Sequence, residues 1–154
     1  MTHYFLDSSA LIKRYIAEQG TVWIRAISLP SAGNTIIVAP VTQVEVFSGV
    51  SRRKREGVVA DRTAQAIRLL LNRHIKHEYM VIKLTPPLIQ IAQNLLDKHP
   101  LRAYDAIQLA SALVANNRLI TTAFMPLAFV SADTRLLNAA TAEGLTFDDP
   151  NAHP

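Results

Sequence analysis

Cysteine is absent, which excludes a disulfide framework, a thiolate nucleophile and a cysteine-ligated zinc site, and points to a reducing cytoplasm. No apolar run approaches the roughly 20 residues that a helical membrane span requires. The stretch from Phe124 to Val130 is short and is interrupted by Pro126. The N-terminal residues, from Met1 to Asp7, lack a basic segment followed by a long apolar run, so no signal peptide is expected. The five glycines form no phosphate-cradling loop of the P-loop or dinucleotide type.

Of the 154 residues, 49% are apolar and 18% charged, enough to bury a core as one compact domain. That domain is expected over residues 1–150, with 151–154 as a C-terminal tail. The net charge is +4, but its distribution is uneven. Between Ser51 and Lys83 nine basic residues face three acidic ones. Arg52, Arg53, Lys54 and Arg55 form the densest part, in an expected loop. Such a cluster suits either a solvated surface or a phosphate-facing patch.

Periodicity gives apolar strands at Tyr4–Leu6, Ile36–Ala39, Tyr79–Leu84, Leu127–Val130 and Leu145–Phe147, separated by helical patterns. Thr42 and Glu45 have capping-box spacing, and Thr85-Pro86 is a helix start. Ala103–Ala115 reads as a helix followed by a long loop, Asn116–Pro126. Strands alternating with helices imply an α/β/α sandwich around a mostly parallel sheet of four to five strands.

In such sheets ligands bind beyond the carboxyl ends of the strands, and the residues there are acidic. Asp7 follows the first strand, Glu45 lies in the helix after the second, Asp105 opens a later helix, and Asp133 follows the fourth strand. Each singly reads as a helix cap or first-turn acid. Gathered along one sheet edge, four carboxylates would repel one another unless a cation neutralised them. An all-oxygen ligand set favours Mg²⁺ or Mn²⁺. Such an ion beside a basic surface suggests phosphodiester hydrolysis without a protein nucleophile.

Four segments carry a resemblance. They are Phe5-Leu-Asp7-Ser-Ser-Ala-Leu-Ile, Thr42-Gln-Val-Glu45-Val, Leu101-Arg102-Ala-Tyr-Asp105-Ala-Ile-Gln-Leu-Ala, and Val130-Ser-Ala-Asp133-Thr-Arg-Leu-Leu. In this order the chain resembles a PIN domain, and more narrowly a toxin of the bacterial VapBC toxin–antitoxin type. The resemblance implies a PIN-like fold and a Mg²⁺- or Mn²⁺-dependent endoribonuclease acting on RNA, with a small antitoxin as partner and a homodimeric state. It implies Asp7 and Asp105 as principal metal ligands, with Glu45 and Asp133 completing the shell or holding waters. Ser9 would be a hydroxyl near the site, or a helix-start residue that satisfies free amides. Arg102 would orient a carboxylate or meet a phosphate, or simply pair with an acid.

The sequence departs from the family pattern in the long Asn116–Pro126 stretch and in Phe147-Asp148-Asp149-Pro150, where Asn-Pro is usual. Asp148 or Asp149 would then join the acidic cluster or lie in a solvated turn. His74 and His77, three apart beside Glu78, have a spacing that can hold a metal, but nothing else nearby has ligand spacing and a surface helix face explains them. Trp23 is expected in the core. Two rival readings are a metal-dependent phosphatase using Asp7 as nucleophile, for which Ser9 stands where a second Asp is expected, and a catalytically silent RNA-binding or scaffold domain.

Overall fold

Neighbouring residues of β1 (His3–Leu6) point to opposite faces of a sheet, so Phe5 and Leu6 belong to two separate cores. The computed structural model describes residues 1–153. All five strands are parallel, in the order β3 (Tyr79–Val81), β2 (Thr35–Val38), β1, β4 (Ala128–Val130), β5 (Thr146–Asp148). Phe5 lies in register with Ile37 and Phe129, and its ring stacks on that of Phe129 at 5.6 Å.

Helices cover both faces, as the alternation of elements requires. On one side α1 (Ser8–Leu11), α2 (Thr21–Ile27), α3 (Thr42–Arg55) and α4 (Asp61–His77) pack Leu11, Ile24, Val46 and Leu71 against Leu6, Val38 and Val130. On the other, α5 (Pro86–Lys98), α6 (Ala103–Thr121) and α7 (Thr134–Ala142) pack Leu88, Leu109 and Leu136 against Phe5, Ile37 and Phe129. Fully burying each of these side chains contributes about 1.5–3 kcal/mol before ordering costs. Among the described residues, no helix is long and apolar enough to cross a membrane.

The strand order places the chain's change of direction at β1, from which it runs to β2 and β3 on one side and later to β4 and β5 on the other. The crevice at that reversal, beyond the carboxyl ends of β1 and β4, is where such sheets bind ligands. Asp7 lies there, its N–H donating to the Val130 carbonyl at 3.1 Å.

Several expectations are corrected. Arg52–Arg55 form the last turn of α3, not a loop, because the helix continues until Gly57 takes a φ of +76°. The expected Asn116–Pro126 loop is largely helix, since α6 runs to Thr121. The Asn116 side chain accepts from the Leu127 N–H at 3.0 Å, which ties the short connection back. The edge strand β3 ends at Val81, three residues early, where the chain turns toward the Thr85 cap. Helix α2 has no counterpart in the expected elements, and it starts at Gly20 without a side-chain cap.

Residues of the expected tail pack against the N-terminal part of the chain. Asn151 Oδ1 accepts from Lys13 Nζ at 2.9 Å, and the His153 ring stacks on Trp23 at 4.0 Å. Trp23 is accordingly only half-buried, between this stack and the edge of Tyr4. Pro154, the last residue of that tail, lies outside the described residues.

Candidate metal and nucleic-acid site

The site begins with Asp7, whose backbone leaves β1 in an extended conformation and caps α1. Its carboxylate is almost wholly buried, at 3% exposure. Oδ1 accepts from the Ala10 N–H at 2.8 Å and from Ser9 Oγ at 2.7 Å, and Oδ2 accepts from Ser131 Oγ at 2.6 Å. Burial nevertheless dominates and pushes the Asp7 pKa up to about 6, against the lowering effect of Ser131, Ala10 and Ser9, with the Glu45 charge adding to the rise.

Glu45 is half-buried in the first turn of α3. The expected capping box with Thr42 is absent, because Val41 is the N-cap and Thr42 is already helical. Both residues turn instead to Gln108, whose Nε2 donates to Glu45 Oε1 at 2.7 Å and to Thr42 Oγ1 at 3.0 Å. Burial raises the Glu45 pKa; the Gln108 bond opposes this and the nearby Asp105 charge adds to it.

Asp105 sits in the first turn of α6, where it accepts from the Arg102 N–H at 3.4 Å. Its pKa is raised by burial and by Asp133, against the Arg102 N–H and the guanidinium groups of Arg135 and Arg102. Asp133 caps α7, accepting from the Arg135 N–H at 2.9 Å, and its own N–H donates to Ser131 Oγ at 3.0 Å. The Arg135 guanidinium stands 3.8 Å from Asp133 Oδ2.

The four acids therefore form a row along the carboxyl edge of the sheet, each felt by the next, and not a tight cluster. Among the described residues, no three His, Asp or Glu side chains converge into a preformed metal cage. The donor set still fits a hard cation. It is all oxygen, and Asp7, Glu45 and Asp105 carry raised pKa values with no cationic side chain in ion-pair contact with any of them among the described residues.

Beside the row lies a cleft of about 280 Å³ lined by Ser9, Glu45, Gly49, Arg52, Arg53 and Ala132 among others. Glu45, Gly49, Arg52 and Arg53 share one stripe of α3. A Cβ at Gly49 would come within 2.7 Å of Ile12 Cδ1, so glycine lets the helix close down on the cleft floor. Of the expected basic patch, Arg52 and Arg53 reach this cleft, and Arg53 also pairs with Glu18 at 3.3 Å. Lys54 pairs with Asp61 instead, and Arg55 is exposed outside the cleft lining.

Ser9 both donates to Asp7 and accepts from the Ala132 N–H at 2.9 Å, bridging α1 and the β4–α7 turn. Arg102 is exposed, and its backbone rather than its side chain binds Asp105. Asp148 and Asp149 stay outside the row: Asp148 meets His153 Nε2 at 2.8 Å, and Asp149 caps the turn at Pro150. His74 is buried against Tyr15, with Nδ1 at 2.8 Å from the hydroxyl, while His77 is exposed, so they form neither a metal pair nor a common surface face.

Gln108 and Ser131 were not among the expected site residues. Gln108 is the polar residue in the apolar run Ala106–Ala110, one helical turn after Asp105, and that break was its signal. Ser131 directly follows β4, the position that the sheet-edge rule already singles out.

Residues 4–123 match the PIN domain. The chain belongs to the PIN-domain family. No curated protein matches its sequence directly. Among solved structures this PIN domain resembles PAE2754 from Pyrobaculum aerophilum, at 19% identity and a TM-score of 0.65, covering 98% of this chain and 91% of the other. VapBC2 from Rickettsia felis, solved bound to a DNA fragment from its promoter, matches at 13% identity and 0.65, covering 96% and 98%. VapC20 from Mycobacterium tuberculosis, a toxin that cleaves the sarcin-ricin loop, matches at 15% identity and 0.61, covering 98% and 99%. At these identities the likeness extends to the fold alone.

Proposed function

We propose that this PIN domain is a Mg²⁺- or Mn²⁺-dependent endoribonuclease and the toxin of a toxin–antitoxin pair. One observation carries the reading: Asp7, Glu45 and Asp105 are buried or partly buried along one sheet edge with no cationic side chain in ion-pair contact with any of them among the described residues, beside a cleft that Arg52 and Arg53 also line. That combination asks for a divalent ion and a phosphate chain together.

Asp7, Glu45, Asp105 and Asp133 would hold the ion. When bound, it supplies Lewis-acid activation of water and of the phosphoryl oxygen. Ser9 and Ser131 fix the plane of the Asp7 carboxylate, Gln108 fixes that of Glu45, and Arg135 sets Asp133. Arg102 and Arg135, beside Asp105, meet the anionic substrate backbone, and Arg52 and Arg53 receive a neighbouring phosphate.

The toxin role rests on the family and on the VapBC-type structures it resembles, and brings with it a small antitoxin as partner. We place the chain in the cytoplasm, in keeping with its lack of cysteine. A homodimer is supported by apolar side chains left open around the end of α6, where Met80, Ile120, Phe124 and Met125 are all more than half exposed.

The decisive experiment incubates a structured RNA pool with purified protein in Mg²⁺, in Mn²⁺ and in chelator, beside Asp7→Ala and Asp105→Asn prepared identically. Metal-dependent cuts lost in both variants establish the activity. Equal cutting by Asp105→Asn with an unchanged melting curve overturns the assignment.

A further inference from the structure

Tyr104 immediately precedes Asp105 and projects into water, at 56% exposure. Its hydroxyl makes no hydrogen bond among the described residues. With Val44, 69% exposed on α3, it walls a second cleft of about 360 Å³ whose remaining lining is Glu45, Ser8 and Ser48. Ser8 and Glu45 also line the cleft that leads to Arg52 and Arg53, so the two clefts meet over the acids. One arm carries Lys13, Arg52 and Arg53 against a single added acid, Glu18; the other is lined by an aromatic ring, a valine and two serines.

We propose that Tyr104 is the stacking platform for the nucleobase flanking the cleaved bond, on the opposite side of Glu45 from the Arg52–Arg53 phosphate contact. The proposal rests on the nuclease reading above and names its substrate as single-stranded RNA. A single strand presents unstacked bases and phosphates alternately, and each class of group has its match in one arm. The ring is open to a base, and Ser8 and Ser48 add hydroxyls to the lining of the same cleft. The surroundings favour a polyanion over an apolar peptide, because the Arg102 and Arg135 guanidinium groups lie near the adjoining Asp105.

The test measures fluorescence anisotropy in chelator, with a labelled single-stranded RNA of about 12 nucleotides and with an abasic ribose-phosphate chain of equal length. Wild-type protein is expected to bind the abasic chain roughly tenfold more weakly than the RNA. Tyr104→Ala is expected to lose that preference by weakening on RNA alone, and Tyr104→Phe to keep it. Tyr104→Leu retains apolar contact without a π face and should behave as Tyr104→Ala. Phe124→Ala, just beyond the far end of the same helix, should bind as wild type. RNA affinity unchanged in Tyr104→Ala and Tyr104→Leu overturns the proposal and leaves the ring to a protein contact. If Asp105→Asn still abolishes cleavage in that case, the nuclease reading survives. Wild-type protein that neither binds nor cuts RNA overturns both.

Discussion

Ser131 Oγ donates to Asp7 Oδ2 at 2.6 Å, joining the ends of two adjacent parallel strands whose residues stand 124 positions apart. The same oxygen accepts from the Asp133 N–H at 3.0 Å, so one hydroxyl positions two of the four acids. A hydrogen bond to a charged group contributes about 1.5–3 kcal/mol. Ser131→Ala should cost about that much above pH 6, where Asp7 is ionised, less at pH 5, and should weaken Mn²⁺ binding measured by calorimetry. Unaltered Mn²⁺ affinity would separate the hydroxyl from the site.

The raised Asp7 pKa makes the contribution of Asp7 to stability fall as pH rises, against the opposite contributions of His74 and Glu143, whose pKa values are lowered. Between the unfolded value of 3.8 and the folded value of about 6, the folded state keeps a proton that the unfolded chain has released. The loss amounts to about 3 kcal/mol and is complete above the folded pKa, with Glu45 and Asp105 shifted in the same direction. Asp7→Asn should flatten the profile and raise Tm at pH 7.5 while abolishing cleavage. Mn²⁺ should raise the wild-type Tm and leave that of Asp7→Asn nearly unmoved. Thermal melts of wild type and Asp7→Asn from pH 4 to 8, with and without metal, check both statements; a Tm difference between the two that stays constant through this window contradicts them.

Arg52 and Arg53 reach the cleft whereas Lys54 is held by Asp61. Replacing both arginines with alanine should reduce the salt slope of RNA binding by about 1–2, and Lys54→Ala should leave it unchanged. Equal slopes for the two variants would return the whole cluster to a solvated surface.

Gln108 is buried at 1% exposure and satisfies Glu45 and Thr42 together. Gln108→Leu leaves the Thr42 hydroxyl and one Glu45 oxygen without that donor, at a cost of about 1–3 kcal/mol. Urea titration should show the loss, and the Glu45 pKa, followed by NMR, should rise further. A variant as stable as wild type, with Glu45 unmoved, would remove Gln108 from the site.

If the open apolar surface around the end of α6 joins two copies, Phe124→Glu should convert a dimeric mass to a monomeric one in analytical ultracentrifugation. A monomeric wild type at micromolar concentration removes the dimer.

Strand and helix alternation was readable because Tyr4–Leu6, Ile36–Ala39 and Leu127–Val130 are apolar runs between 3.6-period segments, and apolar strands alternating with helices imply a mostly parallel sheet covered on both faces. The Thr85-Pro86 start and the Gly144 stop, where φ reaches +85°, depend on local backbone chemistry and were equally legible. Helix α2 was not, because it lacks a side-chain cap and is held by packing of Ile24 and Ile27 in the core. Thr42 and Glu45 have the spacing of a capping box, yet Gln108, more than 60 residues away, competes for both side chains and wins.

By itself, then, the sequence determined which residues are acidic, which follow strands, and that the sheet is parallel, since these follow from composition and from spacing along the chain. Only the tertiary structure decided that the acids line one sheet edge braced by Ser131 and Gln108, with Asp7 buried and its neighbours partly so, and that two of four clustered basic residues reach the cleft. Desolvation and cross-chain hydrogen bonds depend on what lies within a few ångströms in space, and separation along the chain carries almost no information about that.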